Sequence, residues 1–281
     1  MGWRNYHTHS DFSDGKMPPE AYIIEAIKRG MDAIGFSEHA TLPFESSWTM
    51  KPEKLPEYLQ TMADLKEKYR EKIEVLSALE VDYIPKKISP DDPEFMSLEL
   101  DYRIGSVHFI GEFDFGTQWA IDSSDHEKFL HGLREIYDGD VNNVITLYYS
   151  LMREMLNDHS PDILAHIELI CMNAGRYFSV EDEWYRRELS MTLEAVKASG
   201  VILELNTGGI ARGRHSDFYL RQQPLEEACA MGIPVLISAD AHHPDQLTGM
   251  FDEALAMLWD AGYRQVSKFQ RGEWVAEAIE R

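Results

Sequence analysis

Near its amino end the chain reads Tyr6-His7-Thr8-His9-Ser10-Asp11-Phe12-Ser13-Asp14-Gly15, with two histidines two residues apart. In an extended segment, residues i and i+2 point to the same face, so His7 and His9 would present two imidazole rings side by side. Neutral imidazole is the commonest metal ligand, and two rings on one face form half of a chelate. Two exposed or hydrogen-bonded histidines at a strand end would give the same pattern. Further ligand residues elsewhere in the chain would favour the metal site, and their absence would favour two unrelated histidines.

Short apolar runs alternate with amphipathic helical stretches along the rest of the chain. After the opening segment, strands are predicted at 32–39, 74–80, 103–108, 162–166, 201–206 and 234–238. Helices are predicted at 21–28, 54–69, 125–138, 142–157, 182–199, 219–231 and 245–261. This alternation is typical of an α/β fold with a parallel sheet, and seven strands predict a closed or nearly closed barrel.

Length and composition predict a single domain over residues 1–281. The chain has 281 residues, of which 44% are hydrophobic, and no linker or low-complexity tract divides it. No apolar run approaches the roughly 20 residues that span a bilayer. The cysteines, Cys171 and Cys229, are too few for a disulfide framework, so free thiols in a reducing compartment are expected. We therefore expect a soluble, cytoplasmic protein without a membrane partner.

A formal charge of −22, from 49 acidic and 27 basic side chains, argues against binding a nucleic-acid polymer. Such polymers are held by basic patches, which this composition does not favour. A small anionic substrate stays compatible with the acidity, because bound divalent cations would make the local field positive.

Polar side chains recur where the apolar strands reach their carboxyl ends. The residues concerned are His39, Glu80, His108, His166, Asp240 and His242, together with His7 and His9. In α/β barrels this end carries the active site, because the strand-to-helix loops converge there. Six of the eleven histidines share this placement, which scattered structural histidines would not prefer. The pattern therefore favours a metal site over a set of unrelated histidines.

The residue types suit a cluster of divalent transition metals. Asp240 and His242 repeat the spacing of His7 and His9, so the first and last strands would each offer two ligands. Glu80 could bridge two ions through its two carboxylate oxygens. Imidazole together with carboxylate suits zinc, manganese or iron, and a single catalytic zinc takes only three protein ligands. We therefore expect two or three ions, which could activate water and clamp the oxygens of an in-line displacement.

The ordered motifs resemble the PHP (polymerase and histidinol phosphatase) superfamily, and in detail its monofunctional histidinol-phosphate phosphatases. The residues carrying this resemblance are His7-Thr8-His9 with Ser13-Asp14-Gly15, Ser37-Glu38-His39, Leu79-Glu80, Gly105-Ser106-Val107-His108-Phe109, Leu164-Ala165-His166, Glu204-Leu205-Asn206-Thr207 and Ser238-Ala239-Asp240-Ala241-His242. They span nearly the whole chain. The resemblance implies a distorted seven-stranded (β/α)7 barrel with a trinuclear metal site, hydrolysing L-histidinol phosphate to L-histidinol and phosphate in histidine biosynthesis.

The same resemblance implies a ligand set. It assigns His7, His9, Glu80 and Asp240 to one ion, Glu80, His108 and His166 to a second, and His39 with His242 to a third. Asp14 stands near a position where some relatives have a histidine ligand, so the third site is either completed by Asp14 or weakly held. Glu80, Asp240 and His242 carry the catalytic role in this interpretation.

Arginine is the expected partner of the phosphate group, because its guanidinium binds phosphate oxygens in pairs. The resemblance favours Arg176 and Arg212, whereas Arg214 is balanced between a surface role and a site role. Histidinol phosphate also carries an ammonium group and an imidazole. Asp122 is the candidate for the ammonium, and Trp119 could stack on the ring.

The remaining histidines are expected to be solvent-facing or structural: His126, His131, His159 and His215. His243 is an alternative general acid for the leaving alcohol. Two rival functions stay open, a phosphoesterase or phosphodiesterase acting on nucleotides or other small phosphoesters, and a non-catalytic metal-binding domain. The sequence also leaves the choice between a monomer and a homo-oligomer open.

Overall fold

A computed structural model describes residues 2–279, and its centre is a seven-stranded parallel sheet. The strands are β1 (Arg4–Asn5), β2 (Ala33–His39), β3 (Glu74–Asp82), β4 (Tyr102–Ser106), β7 (Ile163–Leu164), β8 (Ile202–Asn206) and β9 (Val235–Ser238). They lie in the order β1-β2-β3-β4-β7-β8-β9, and every neighbouring pair is parallel. The predicted α/β barrel with seven strands is confirmed. It is distorted, because β1 and β7 are only two residues long.

The barrel closes beyond the last residues of its outer strands. Thr8 forms an isolated parallel bridge with Ala241. The His9 N–H donates to the Ala241 carbonyl at 2.8 Å, and the Ala241 N–H donates to the His7 carbonyl at 3.1 Å. Both histidines of the opening motif are therefore fixed by the pairing that joins the first strand to the last.

Helices surround this sheet, and most of them connect consecutive strands. They are α1 (Pro19–Lys28), α2 (Leu55–Tyr69), α3 (Pro93–Met96), α4 (His126–Tyr137), α5 (Val141–Asp158), α6 (Cys171–Ala174), α7 (Glu183–Ser199), α8 (Gly208–Ala211), α9 (Gln222–Met231) and α10 (Phe251–Asp260). Two helices, α4 and α5, have aspartate caps whose carboxylates accept from backbone N–H groups in the first turn. No helix within residues 2–279 combines the length and the apolar character needed to cross a membrane.

Several strands and helices are shorter than predicted. The strand predicted at 103–108 ends at Ser106, and the one predicted at 162–166 is reduced to β7. The helix predicted from 245 begins only at Phe251, because Pro244–Gln246 forms a short 3-10 turn. In each case the trimmed residues lie in the loops at the carboxyl ends of the strands, where side chains are needed for the site.

Two antiparallel hairpins lie outside the predicted pattern. One, β5 (Phe109–Glu112) with β6 (Gln118–Ala120), follows β4 at the carboxyl end of the barrel. The other, β10 (Gln265–Gln270) with β11 (Glu273–Ala278), covers the opposite end.

The second hairpin packs its aromatic side chains under the barrel. Trp274 makes edge contacts with Tyr6 and Phe269, each at a centroid distance of 5.1 Å, and with Tyr102 at 5.6 Å. The Phe269 N–H donates to the Tyr6 hydroxyl at 3.0 Å. These residues belong to a buried apolar cluster distinct from the main core. The hairpin therefore fills the amino end of the barrel beneath the opening motif.

We expect Phe269→Ala to lower the free energy of unfolding by about 3 to 5 kcal/mol, because it empties a buried aromatic site. Phe269 is 4% exposed. Val275→Ala, on the same hairpin but 38% exposed, is the control and should change stability by less than about 0.5 kcal/mol. Chemical denaturation of both variants measures the difference. If Phe269→Ala changes the free energy of unfolding as little as Val275→Ala does, the hairpin does not stabilise the barrel.

Candidate metal centre

Eight of the nine predicted ligand side chains meet at the carboxyl end of the barrel, each buried to more than nine-tenths: His7, His9, His39, Glu80, His108, His166, Asp240 and His242. His39 and Glu80 lie within β2 and β3, whereas His108, His166 and Asp240 each follow the last residue of a strand by two positions. The sheet thus delivers them to one place from different strands. Asp14 joins them from the loop after the opening motif and is partly buried.

Glu80 lies at the centre of this group. Its Oε2 is 3.2 Å from Nε2 of His7 and 2.9 Å from Nδ1 of His39. Its Oε1 is 2.9 Å from Nε2 of His166 and 3.7 Å from Nε2 of His108. The two carboxylate oxygens therefore face different histidines, as a bridging ligand requires.

Asp240 connects the opening motif to a neighbouring arginine. Its Oδ1 is 3.2 Å from Nε2 of His9 and 3.7 Å from Nε2 of His7. Its Oδ2 accepts a hydrogen bond from Arg212 at 2.9 Å. Asp240 has a φ of 49°, a left-handed backbone conformation that is uncommon for a residue other than glycine. The backbone thus adopts an unfavoured conformation where it presents this carboxylate.

A further group forms around Asp14. Its Oδ1 lies 3.0 Å from Nε2 of His242 and 3.6 Å from Nε2 of His39. The His39 ring stacks on that of His9 at a centroid distance of 4.1 Å. The structure thus brings Asp14 to the two histidines that the resemblance assigns to the third ion.

Side-chain geometry divides the cluster into four overlapping groups, in each of which the ligand atoms lie within 4.8 Å of one another. The groups are His9, Asp14, His39 and His242; His7, His9 and Asp240; His7, Glu80 and His166; and His39, Glu80 and His108. All nine predicted ligands are therefore brought together, and their role as ligands stays a prediction.

The atoms at the centre of the cluster fit divalent cations. Within residues 2–279, His7 Nε2, His9 Nε2 and Glu80 Oε2 are buried and lie close to other ligand atoms, but none of these contacts has the geometry of a hydrogen bond. Buried polar atoms in proteins are almost always satisfied, because leaving them unpaired is costly. Imidazole nitrogen with carboxylate oxygen is a donor set that suits zinc, manganese or iron.

Protons and cations would compete for these nitrogens. Burial alone would lower the pKa of His7, but the carboxylates of Glu204, Glu80 and Asp240 raise that pKa well above its usual value. Burial likewise would raise the pKa of Glu80, but His7, His39 and His108 hold it well below its usual range. The carboxylates therefore favour positive charge beside His7, whereas burial and the neighbouring His39 and His242 lower the pKa of His9 well below its usual value.

A second layer of carboxylates orients two of the histidines. Glu204 Oε1 lies 2.6 Å from Nδ1 of His7, and Asp82 Oδ1 lies 2.9 Å from Nδ1 of His108. Each carboxylate thereby directs the opposite ring nitrogen, Nε2, towards the centre of the cluster. Neither role was predicted. The sequence did carry a signal for both carboxylates. Asp82 lies two residues after Glu80, and Glu204 lies two residues before Asn206. The same i, i+2 spacing pointed to the predicted ligands.

Glu38 holds the loop that presents Asp14. Its carboxylate accepts from the Ser10 N–H at 2.9 Å and from the hydroxyls of Ser10 and Ser13. Burial raises the pKa of Glu38 to about 7, although these hydrogen bonds oppose the shift. The loop between the opening motif and α1 is therefore tied to the end of β2.

A cavity of about 680 Å³ lies above the cluster and opens between the carboxyl-end loops. Its wall includes the metal-ligand side chains His39, His108 and His166. The opposite side is formed by the β5–β6 hairpin and the first turns of α4, with Trp119 and Asp122 among the lining residues. Trp48 also lines the cavity, and its indole meets the rings of His39 and His108 edge-on. Asp122 thus lines the cavity, and its contact with a substrate stays a prediction.

The structure places the candidate arginines differently with respect to the cavity. Arg212 lines the cavity and is fixed by its hydrogen bond to Asp240. Arg214, which sequence left balanced, also lines the cavity. Arg176 is exposed in the turn after α6 and is not among the lining residues. The structure therefore does not place Arg176 in the wall of the cavity.

The other histidines lie mostly outside the cavity. His126 hydrogen-bonds to Asn173 at 2.9 Å, and His159 pairs with Asp91 at 2.7 Å. His131 is exposed as expected, yet it lines the cavity. His243 caps the 3-10 turn and is not among the lining residues, so its geometry gives no support for a general acid.

Comparison with known proteins agrees with this geometry. A family model described as the PHP domain matches residues 5–208. The histidinol-phosphatase of Bacillus subtilis is 28% identical over 262 residues, covering 86% of this chain and 94% of the relative.

Two solved structures share the fold. The hisK protein of Listeria monocytogenes superposes with a TM-score of 0.77 at 21% identity, covering 89% of this chain and 99% of that one. The histidinol phosphate phosphatase of Lactococcus lactis, solved with zinc, L-histidinol and phosphate, gives a TM-score of 0.67 at 21% identity, covering 97% of this chain and 98% of that one. The family match spans most of the barrel and every predicted ligand before Asp240, and the chain belongs to the PHP domain family.

Proposed function

We propose that this protein is a histidinol-phosphatase, a metal-dependent phosphoric monoester hydrolase that converts L-histidinol phosphate to L-histidinol and phosphate. The observation that carries the proposal is the buried ligand cluster with Arg212 beside it, at the base of a cavity that Asp122 also lines. The relative from Bacillus subtilis bears this name, and the Lactococcus lactis protein binds zinc, L-histidinol and phosphate on the same fold.

The cluster would hold two or three divalent ions, with zinc, manganese or iron as candidates. The ligand assignment is the one that the resemblance implies, with Asp14 completing the third site. Such ions supply Lewis-acid activation of water and of phosphoryl oxygens at neutral pH. Glu80 and Asp240 fix the spacing between the ligand groups, and His242 orients Asp14.

The chain's own side chains complete the site. Arg212, and Arg214 beside it in sequence, would bind the phosphoryl oxygens, with Arg212 held in position by Asp240. Asp122, which lines the same cavity, would receive the ammonium group of histidinol. Trp48 covers His39 and His108 and thereby limits access of bulk water to them.

The direct test is phosphate release from L-histidinol phosphate by protein loaded with Mn²⁺ or Zn²⁺. His9→Ala should abolish this activity and lower the metal content, because His9 takes part in two of the four ligand groups. His159→Ala is the control, since His159 pairs with Asp91 away from the cavity. A protein that ignores histidinol phosphate but cleaves nucleotides or other phosphoesters would retain only the family assignment, and one without bound metal would revive the non-catalytic alternative.

Asp82→Asn should weaken metal binding about 10- to 100-fold, because it removes the charge that orients His108. The rate and extent of metal transfer to a chelator measure the effect. Asp101→Asn is a matched control, because its carboxylate accepts from the Ser77 N–H at 2.7 Å without contacting a histidine. Equal metal retention in the two variants would contradict the orienting role of Asp82.

Arg212→Ala should lower kcat/KM about 10²- to 10³-fold, because it removes a charged donor to the phosphoryl group. Arg212→Lys should recover only part of this loss, since lysine lacks the forked guanidinium. Arg176→Ala should leave kcat/KM unchanged, because Arg176 is exposed outside the cavity. Steady-state kinetics decide between the two arginines, and a loss confined to Arg176→Ala would overturn the present assignment.

A further inference from the structure

Tyr219 is held rigidly beside the metal centre, in the loop between α8 and α9. Its N–H donates to the Asn206 carbonyl at 3.0 Å, and its carbonyl accepts from the Glu168 N–H. Its ring meets the His166 ring edge-on at a centroid distance of 6.3 Å. On another side it lies close to Gly209, where an added Cβ would be 3.3 Å from the ring. The side chain therefore has little freedom to move.

The hydroxyl of Tyr219 is unsatisfied. The residue is 2% exposed and lines the cavity, and no hydrogen-bond partner for the hydroxyl exists within residues 2–279. A buried hydroxyl without a partner is destabilising, and such a group in a native protein calls for an explanation. The other buried tyrosines of this fold satisfy theirs, as Tyr58 does with the carbonyls of Phe36 and Ala78.

Charged side chains share the cavity with this hydroxyl. Arg212 and Arg214 line it together with Tyr219, and so do Asp240 and Asp122. The two arginines are the side chains to which the proposed function assigns the phosphoryl group. The phenol is therefore available as a donor among groups that would bind an anion.

We propose that the Tyr219 hydroxyl donates a hydrogen bond to a non-bridging oxygen of the bound phosphoryl group. This inference rests on the proposed function only in its choice of substrate, because inorganic phosphate would present the same oxygens. The substrate supplies the acceptor that the fold lacks, and the hydroxyl adds a neutral donor beside Arg212. Tyr219 is then a substrate-binding residue that sequence reasoning missed, since a tyrosine in a loop carries no spacing signal.

Tyr219→Phe tests this role, because it removes the hydroxyl and keeps the ring. Since a hydrogen bond to a charged group is lost, inorganic phosphate should bind zinc-loaded protein about 10- to 100-fold more weakly by calorimetry. The value of kcat/KM should fall by a similar factor for both histidinol phosphate and p-nitrophenyl phosphate. Thermal stability should stay the same or rise, because the fold loses an unsatisfied group.

Tyr263→Phe is the matched control. The Tyr263 hydroxyl donates to the Ile233 carbonyl at 2.9 Å, away from the cavity. This variant should lose stability and keep the affinity for phosphate. The inference is overturned if Tyr219→Phe binds phosphate as tightly as the parent protein, or if it loses stability as Tyr263→Phe does. Failure of the parent protein to hydrolyse histidinol phosphate would refute the proposed function, and the phosphate titration would still decide the role of Tyr219.

Discussion

The site depends on the short parallel pairing that joins the two ends of the seven-stranded sheet. Two backbone hydrogen bonds connect His7-Thr8-His9 with Asp240-Ala241-His242. His7 and His9 share a face of the extended opening segment, whereas Asp240 reaches the same side through its left-handed backbone conformation. This one pairing therefore brings four predicted ligand side chains together, and the neighbouring strands need to add only one each. Closure of the barrel and assembly of the predicted ligand cluster thus depend on the same contacts.

Glu204 shows how the closed barrel tolerates so many buried polar groups. Its Oε1 accepts from Ser238 and lies 2.6 Å from His7, and its Oε2 accepts from the His166 N–H at 2.8 Å and from Asn206 at 2.9 Å. One carboxylate therefore joins the ends of several strands while being completely buried. A fully satisfied network of this kind is stable in the interior, whereas a partly satisfied one would not be.

Sequence predicted the barrel, and the side chains that the structure brings together at its carboxyl end, because both follow local periodicity. Apolar runs identified the strands, and histidine or carboxylate at their ends identified the cluster from His7 to His242. Sequence could not tell which of Arg176 and Arg214 lines the cavity, since the path of a loop depends on its packing partners. The position of Tyr219 in the cavity wall was not predicted for the same reason. The hairpin β10–β11 was missed because its strands bury only a few side chains, with Gln265, Gln270 and Glu273 exposed.

That hairpin also has a consequence for how the protein is made. Residues 265–278 cover the amino end of the barrel, and Arg4 pairs with Glu277 across it. Residues 240–242 must also have left the ribosome before the opening segment can pair with them and close the barrel. Contacts so distant in sequence form late, because the entropy of closing a long loop is lost before they are made. A nascent chain would therefore expose an incomplete set of histidines for most of its synthesis. Under the proposed function, capture of metal then follows translation.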